Sequence, residues 1–223
     1  ELIAKMRQGL IQLEIGVQSV NGETLQSINR KTSIEKIEDV TNKIKKHGNI
    51  HQHLDLIAGL PYEDYHSFEN SFNKVYAMKP DQLQLGFLKV LHGSDMERKV
   101  QEYGLVYSDK PPYEVLQTKW LSFDEILQLK MIEEVVEIYY NSFQFTNTIS
   151  YLEREFESAF SMFEILGKYY KKKRRNGEKH SRVTRYEILL DFCRMYERGK
   201  RCTEEKWTDK LTYSELLTLD FYL

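Results

Sequence analysis

The sequence is poor in cysteine and has no long apolar run, and each absence argues against a class of protein. Its two cysteines among 223 residues, Cys193 and Cys202, match neither a zinc nor an iron–sulfur spacing, so we expect two reduced thiols. No apolar run approaches the roughly 20 residues of a membrane-spanning helix, and no signal-peptide pattern opens the chain. We therefore expect a cytoplasmic protein with no membrane partner.

Catalytic signatures of several common enzyme classes are also missing. The sequence contains no P-loop, no glycine-rich dinucleotide fingerprint and no Ser–His–Asp order, so nothing supports those classes. The formal net charge of −2 argues against a nucleic-acid partner. The chain is instead rich in aromatic residues, with 15 Tyr and 11 Phe, which indicates a packed globular protein.

Three short stretches alternate between apolar and polar residues with the period of two that is typical of β-strands. They lie at residues 11–18, 51–56 and 82–88, and helical patterns separate them. This β-α-β-α-β order predicts a parallel sheet. Because parallel strands are normally apolar on both faces, a shared polar face predicts a wet lumen, as in a barrel or half-barrel.

Polar side chains stand near the carboxyl ends of these strands, where β/α barrels bind ligands. Gln18 and Asp55 lie on the polar faces, and Arg30 follows the first strand on the same rim. An amide and a carboxylate can bind hydroxyl groups, and a guanidinium can grip a carboxylate through two parallel hydrogen bonds. The pattern alone leaves a water-filled lumen, with Arg30 exposed on a turn, equally open.

Other polar residues of the strands are candidates for the lumen or for contact with a substrate: Glu14, His53 and Gln84. Glu14 is either a base in the lumen or a structural partner of His53. His51 and His53 share a strand face, as a metal pair would, but no third ligand is in register. We therefore predict lumen-lining or hydrogen-bonded histidines and no metal ligand.

Beyond Gly104 the pattern becomes helical. A helix is predicted to begin at Ser122, where Glu125 completes a capping box, and a long helix is predicted from Ser150 to about Arg175. The predicted fold is α/β followed by all-α. Its domains are residues 1–104 and a helical domain at residues 105–223.

The beginning of the chain also predicts a larger parent. The first residue is Glu1 rather than an initiator methionine, and the first strand follows what reads as the end of a helix. We expect a fragment of a longer protein with upstream strands missing.

Four motifs in order resemble the radical S-adenosylmethionine (radical SAM) superfamily. The motifs and their counterparts are Glu14–Ser19 for the fourth barrel strand, Asn29–Arg30 for the arginine after it, Asp55–Pro61 for the fifth strand and loop, and Pro80–Ser94 for the sixth strand. Their spacing fits the branch that includes oxygen-independent coproporphyrinogen dehydrogenase. The resemblance implies the C-terminal half of a partial (β/α)6 barrel, with three parallel strands, packed with a helical domain.

The second half carries a further resemblance, in the segments Tyr103–Leu105, Pro111–Leu116 and Tyr139–Ser142. They look like an uncharacterised helical domain that follows the barrel in some radical SAM proteins with an N-terminal cobalamin-binding domain. The resemblance therefore implies cobalamin as a possible cofactor of the parent protein.

The resemblance also implies a set of residues that bind S-adenosylmethionine, the last three beside its adenine: Gln18, Ser19, Arg30, Asp55, Ile57, Gly59 and Leu60. Within this set, Gln18 and Asp55 would bind the ribose hydroxyls, and Arg30 would bind the methionine carboxylate. No catalytic residue and no metal ligand is implied within the chain.

The CxxxCxxC motif that holds the family's four-iron four-sulfur cluster is absent from this sequence. The resemblance implies a parent enzyme, an oxidoreductase or transferase, that uses S-adenosylmethionine and the cluster to generate a 5′-deoxyadenosyl radical. We expect this chain alone to be inactive, with the upstream half-barrel of the same parent as its partner. The alternatives are a non-catalytic binding or scaffold module without a cluster, and an unrelated β/α-barrel enzyme; the second alternative would make four ordered motifs a coincidence.

Overall fold

The computed structural model describes residues 3–173, 180–200 and 212–222. By its internal contacts the chain forms two compact units, Glu1–Glu133 and Glu134–Leu223. The domain boundary that the sequence suggests between residues 104 and 105 stays a prediction.

The first unit is built on a parallel sheet of three strands. These are β1 (Gln12–Gln18), β2 (His51–Ala58) and β3 (Gln82–Phe87), adjacent in chain order. Both strand pairs are parallel, which confirms the prediction from the β-α-β-α-β order. The connections contain α1 (Gly22–Ser27), α2 (Ile34–Lys45) and α3 (Tyr65–Ala77).

The apolar face of the sheet is the core of this unit. Leu54 and Leu56 of β2 and Leu83 of β3 are fully buried, and so are Phe68 and Phe72 of α3. Burying one such side chain contributes roughly 1.5–3 kcal/mol, so this face holds the helices against the sheet. The opposite face of the sheet carries the polar side chains of the strands.

The chain beyond Gly104 departs from the prediction of a helical domain. Two short helices, α4 (Asp95–Arg98) and α5 (Val100–Tyr103), lead to a short antiparallel pair, β4 (Val106–Tyr107) and β5 (Val115–Gln117). The sequence analysis missed this ribbon because each strand is only two or three residues long.

The first long helix of the second half begins where it was predicted. In α6 (Phe123–Val136) the Ser122 hydroxyl accepts a hydrogen bond from the Glu125 backbone N–H, while Glu125 Oε2 accepts one from the Ser122 N–H. These reciprocal bonds confirm the capping box.

The elements of the second unit, in its described residues, are all helices. A π-helical turn, Glu137–Asn141, and a 3-10 turn, Glu153–Glu155, are its irregular elements. Its α-helices are α7 (Thr146–Leu152), α8 (Ala159–Lys173), α9 (Arg182–Lys200) and α10 (Tyr213–Tyr222). No helix in the described ranges is long and apolar enough to cross a membrane.

The long helix predicted from Ser150 is wrong. The chain leaves the helical conformation at Phe156, and α8 starts afresh after Ser158, whose hydroxyl accepts a hydrogen bond from the Ser161 N–H at 3.1 Å. A serine at this position favours a helix start over an uninterrupted helix. Cys193 is buried in α9, and Cys202 lies outside the described residues.

Candidate functional site

A cleft of about 660 Å³ lies in the first unit at the carboxyl ends of β2 and β3. Gln18, Asp55 and Gln84 all line it. Asp55 and Gln84 are direct partners in the parallel pairing of β2 with β3. Three of the six polar residues predicted for the rim or the lumen therefore come together in one cleft.

Gln18 reaches this cleft through an irregularity at the end of β1. Gly16 pairs with Asp55 but Gln18 pairs with Leu56, so Val17 is an extra residue in the strand. Gln18 takes a left-handed backbone conformation, with φ of 71°. A bulge of this kind redirects a side chain.

The glycine two residues earlier makes room for the Gln18 side chain. A Cβ atom on Gly16 would lie 2.3 Å from Gln18 Nε2 and 3.3 Å from Arg30 Nη2. A larger residue at position 16 would therefore displace the side-chain amide of Gln18. The glycine thus positions Gln18 without touching the cleft itself.

Arg30 lies on the same edge of the sheet but does not line the cleft. Its Nη2 donates a hydrogen bond to the carbonyl oxygen of Gly16, and its side chain is exposed. A guanidinium has five N–H donors, so this bond leaves others for a second acceptor. The structure thus places the Arg30 guanidinium near the Gln18 amide and leaves it exposed.

Asp55 carries the clearest chemical signal in the cleft. Its Oδ1 is buried, and none of the residues that the structure describes forms a hydrogen bond with it. Burial raises the pKa of Asp55, the charge of Glu14 raises it further, and His53 opposes them. Leaving a buried acceptor unsatisfied costs about 1–3 kcal/mol, which a hydroxyl donor from a ligand would recover.

The other polar-face candidates, Glu14 and His53, do not line the cleft. His53 is buried, its Nδ1 lies 3.2 Å from Gln12 Nε2, and its ring stands edge-on to His51 with centroids 4.7 Å apart. Burial, and then the neighbouring His51, lower the pKa of His53. Glu14 is exposed at the same end of the sheet.

The donors present do not fit an iron–sulfur cluster. No group of three or more His, Cys, Asp or Glu side chains among the described residues could hold a metal ion. Within those residues the chain therefore offers no ligand set for a cluster.

Of the three residues expected beside an adenine, one lines the cleft. Ile57 is half-buried in its wall. Gly59 has a φ of +86°, and a Cβ atom on it would lie 2.6 Å from Val115 Cγ1, so it packs against β5 instead. Leu60 is only 3% exposed and belongs to the core.

Ser19, the remaining candidate, is also buried away from the cleft. Its hydroxyl donates a 2.6 Å hydrogen bond to Glu63 Oε1. Burial raises the pKa of Glu63 to about 7. Glu63 could not be predicted as a buried residue, because a glutamate in a loop with Gly59 and Pro61 has the pattern of an exposed residue.

Charged residues from outside the sheet complete the wall of the cleft. Lys130 of α6 donates a hydrogen bond to Glu114 Oε1, and its Nζ lies 4.9 Å from the centre of the Phe87 ring. Glu133, three residues further along α6, lines the same wall. The sequence signal for this wall is the opposite charges of Lys130 and Glu133, which are spaced i, i+3 in α6.

Two family models match the sequence. Residues 101–223 match the family model "Protein of unknown function (DUF4080)", and residues 1–75 match the radical SAM superfamily. The first match covers more than half of the chain.

Curated relatives match less than half of this chain. The chain is 29% identical over 92 residues to the oxygen-independent coproporphyrinogen-III oxidase-like protein HemZ of Bacillus subtilis, covering 41% of this chain and 18% of HemZ. It is 32% identical over 77 residues to oxygen-independent coproporphyrinogen III oxidase of Paracoccus denitrificans, covering 34% of this chain and 17% of that enzyme. The matched stretch is thus less than a fifth of the length of either relative.

Among solved structures, coproporphyrinogen III oxidase (HemN) from Escherichia coli aligns with a TM-score of 0.44 and 24% identity. The alignment covers 60% of this chain and 28% of that one.

Proposed function

Since this chain belongs to the DUF4080 family and its first 75 residues match the radical SAM superfamily, we propose that it forms the S-adenosylmethionine-binding half of a radical SAM enzyme. The observation that carries the proposal is the buried Asp55 Oδ1, for which the described residues provide no partner. Such a group in a cleft between polar side chains is typical of a ligand site.

The chemistry of the cleft suits a nucleoside. Two neighbouring ribose hydroxyls are hydrogen-bond donors and acceptors, and they match the carboxylate of Asp55 and the amide of Gln18. Ile57 offers an apolar surface to the flat face of an adenine. The cleft volume of about 660 Å³ lies within the range of roughly 300–1,000 Å³ that is usual for small-molecule sites.

Arg30 is assigned the methionine end of the cofactor. Its guanidinium is held beside Gln18 by the Gly16 carbonyl, and its remaining donors match a carboxylate in two parallel hydrogen bonds. Together these residues bind and orient the cofactor.

When bound, S-adenosylmethionine and a four-iron four-sulfur cluster together supply a 5′-deoxyadenosyl radical in the radical SAM superfamily. The proposal assigns the ligands of the cluster to an upstream half-barrel of the parent chain. Cobalamin is not part of the proposal, because no observation supports it.

The test is the binding of S-adenosylmethionine to the full-length protein that contains this sequence, measured by isothermal titration calorimetry. We expect Asp55→Asn to weaken binding about tenfold, because a hydrogen bond to an ionised acceptor contributes roughly 1.5–3 kcal/mol. Asp39→Asn is the matched control, since Asp39 is exposed on α2 and paired with Lys43. No binding by the wild type, or equal binding by Asp55→Asn, would refute the proposal.

A further inference from the structure

Glu63 is a fully buried carboxylate that the cleft does not use directly. It lies in the loop between β2 and α3 and is 0% exposed. Its Oε1 accepts hydrogen bonds from Ser19 Oγ at 2.6 Å and from Ser71 Oγ of α3 at 2.8 Å. Its Oε2 is also buried and has no hydrogen-bond partner within the described part of the chain.

The two serines extend this network to the backbone after β1. Ser19 Oγ accepts a hydrogen bond from the Asn21 N–H at 2.9 Å, and Ser71 Oγ accepts one from the Val20 N–H at 3.1 Å. One carboxylate therefore holds three consecutive residues, 19–21, that follow Gln18 directly. Those residues form the exit of β1, where the backbone has just turned through a left-handed residue.

The surroundings of Glu63 do not favour a charge. On its own loop the neighbouring Asp64 is acidic, while Ser19 at the exit of β1 and Ser71 on α3 are neutral. None of these groups is a cation that would compensate the carboxylate. If the loop needed only a hydrogen-bond acceptor here, a glutamine would supply one at lower cost.

We propose that Glu63 is a positioning residue for the cofactor site, which holds the exit of β1 through Ser19 so that Gln18 keeps its place in the cleft. This inference rests on the proposed function, since Gln18 is assigned to the cofactor there. An ionised carboxylate accepts stronger hydrogen bonds than a protonated one. The ionised form therefore holds the exit of β1 more firmly.

The protonation of Glu63 then gives binding and stability opposite dependences on pH. Burial raises the pKa of Glu63 to about 7, so the folded chain favours the protonated form. Below the ordinary glutamate pKa the protonated Glu63 makes its full contribution to the free energy of unfolding. This contribution is lost as the pH rises through about 7. Ligand affinity should instead increase over the same range, as the carboxylate forms.

The experiment measures binding of S-adenosylhomocysteine to the full-length protein by calorimetry at pH 6 and pH 8. The wild type should bind about three- to fivefold more tightly at pH 8, because charge-assisted hydrogen bonds are roughly twice as strong as neutral ones. Glu63→Gln should bind equally at the two pH values, and Ser19→Ala, which breaks the same link, should also lose the dependence. Glu69→Gln, on the exposed part of α3, should behave as the wild type. A wild-type pH profile in Glu63→Gln would overturn the inference.

A second measurement separates this inference from the proposed function. Hydrogen exchange at the backbone amides of residues 18–21 should be faster in Glu63→Gln than in the wild type at pH 8, while exchange in β2 stays unchanged. Unchanged exchange at residues 18–21 would overturn the role of Glu63 even if the ligand binds. Absence of binding by the wild type, with faster exchange in Glu63→Gln, would refute only the proposed function.

Discussion

Asp55 in the first unit and Asp220 in the second are both acidic residues with buried side-chain oxygens, yet their surroundings differ. Asp220 Oδ1 accepts hydrogen bonds from the backbone N–H and the side-chain Nδ2 of Asn147, and Oδ2 accepts one from the Thr148 N–H, all at 2.9 Å. Asp55 Oδ1 has no such donor among the described residues. Both oxygens of Asp220 accept hydrogen bonds from the fold, whereas Asp55 Oδ1 can still accept one from a ligand.

Glu63 stands between these two cases. One of its oxygens accepts two serine hydroxyls, and the other has no partner in the described ranges. Partial satisfaction suits a group that supports a site without contacting the ligand. The role of a buried carboxylate in this chain can therefore be inferred from how many of its oxygens accept hydrogen bonds from other residues of the fold.

The largest expected effect is the loss of stability when Asp220, the fully hydrogen-bonded carboxylate, is removed. Asp220→Ala should lower the free energy of unfolding by about 2 kcal/mol, because it removes the cap of α7 and leaves buried N–H groups without an acceptor. Urea denaturation followed by circular dichroism measures it. Asp191→Ala is the control, since Asp191 is half-exposed and pairs with Lys173 on the surface. A change of less than roughly 0.5 kcal/mol for Asp220→Ala, the range of a surface pair, would remove the contrast.

A smaller effect concerns the support of the cleft. Gly16→Ala should weaken S-adenosylhomocysteine binding about threefold, because the added methyl group displaces the Gln18 side-chain amide. The hydrogen bonds that hold the fold together should stay intact, so we expect no loss of structure. Calorimetry on the full-length protein measures the affinity, and far-UV circular dichroism checks the fold. In Gly22→Ala the added Cβ would have no neighbour within 4 Å, so wild-type affinity is expected for this control. Unaltered binding by Gly16→Ala would show that the bulge does not position Gln18.

Much of the sheet and of the cleft could be predicted from the sequence. The alternation of side chains has the same period as the strand itself, so the sequence pattern is enough to assign Asp55 and Gln84 to one face. Gln18 reaches the same cleft through the irregularity at Val17, which the alternation does not predict. The order of the strands followed from the helices between them. Local rules were enough wherever a repeating pattern or a single cap decides the structure.

Features that depend on distant contacts could not be predicted. The burial of Glu63 depends on Ser19, which lies 44 positions away, and the capping of α7 depends on Asp220, which lies 73 positions from Asn147. The assignment of Ser19, Gly59 and Leu60 to the cofactor came from the family resemblance, which carries residues over by their position in a motif and takes no account of their packing. In the structure Ser19 donates a hydrogen bond to Glu63, Gly59 packs against Val115 of β5, and Leu60 is buried in the core.

The most direct test of the account is whether a ribose hydroxyl binds to Asp55. S-adenosylhomocysteine and its 2′,3′-dideoxyribose analogue would be titrated by calorimetry into the wild type and Asp55→Asn, both as full-length protein. We expect the analogue to bind the wild type about tenfold more weakly, and the difference to shrink to about twofold in Asp55→Asn, since the two changes remove the same hydrogen bonds. An equal loss of affinity in both proteins would contradict the claim that the unsatisfied oxygen of Asp55 is reserved for the ligand.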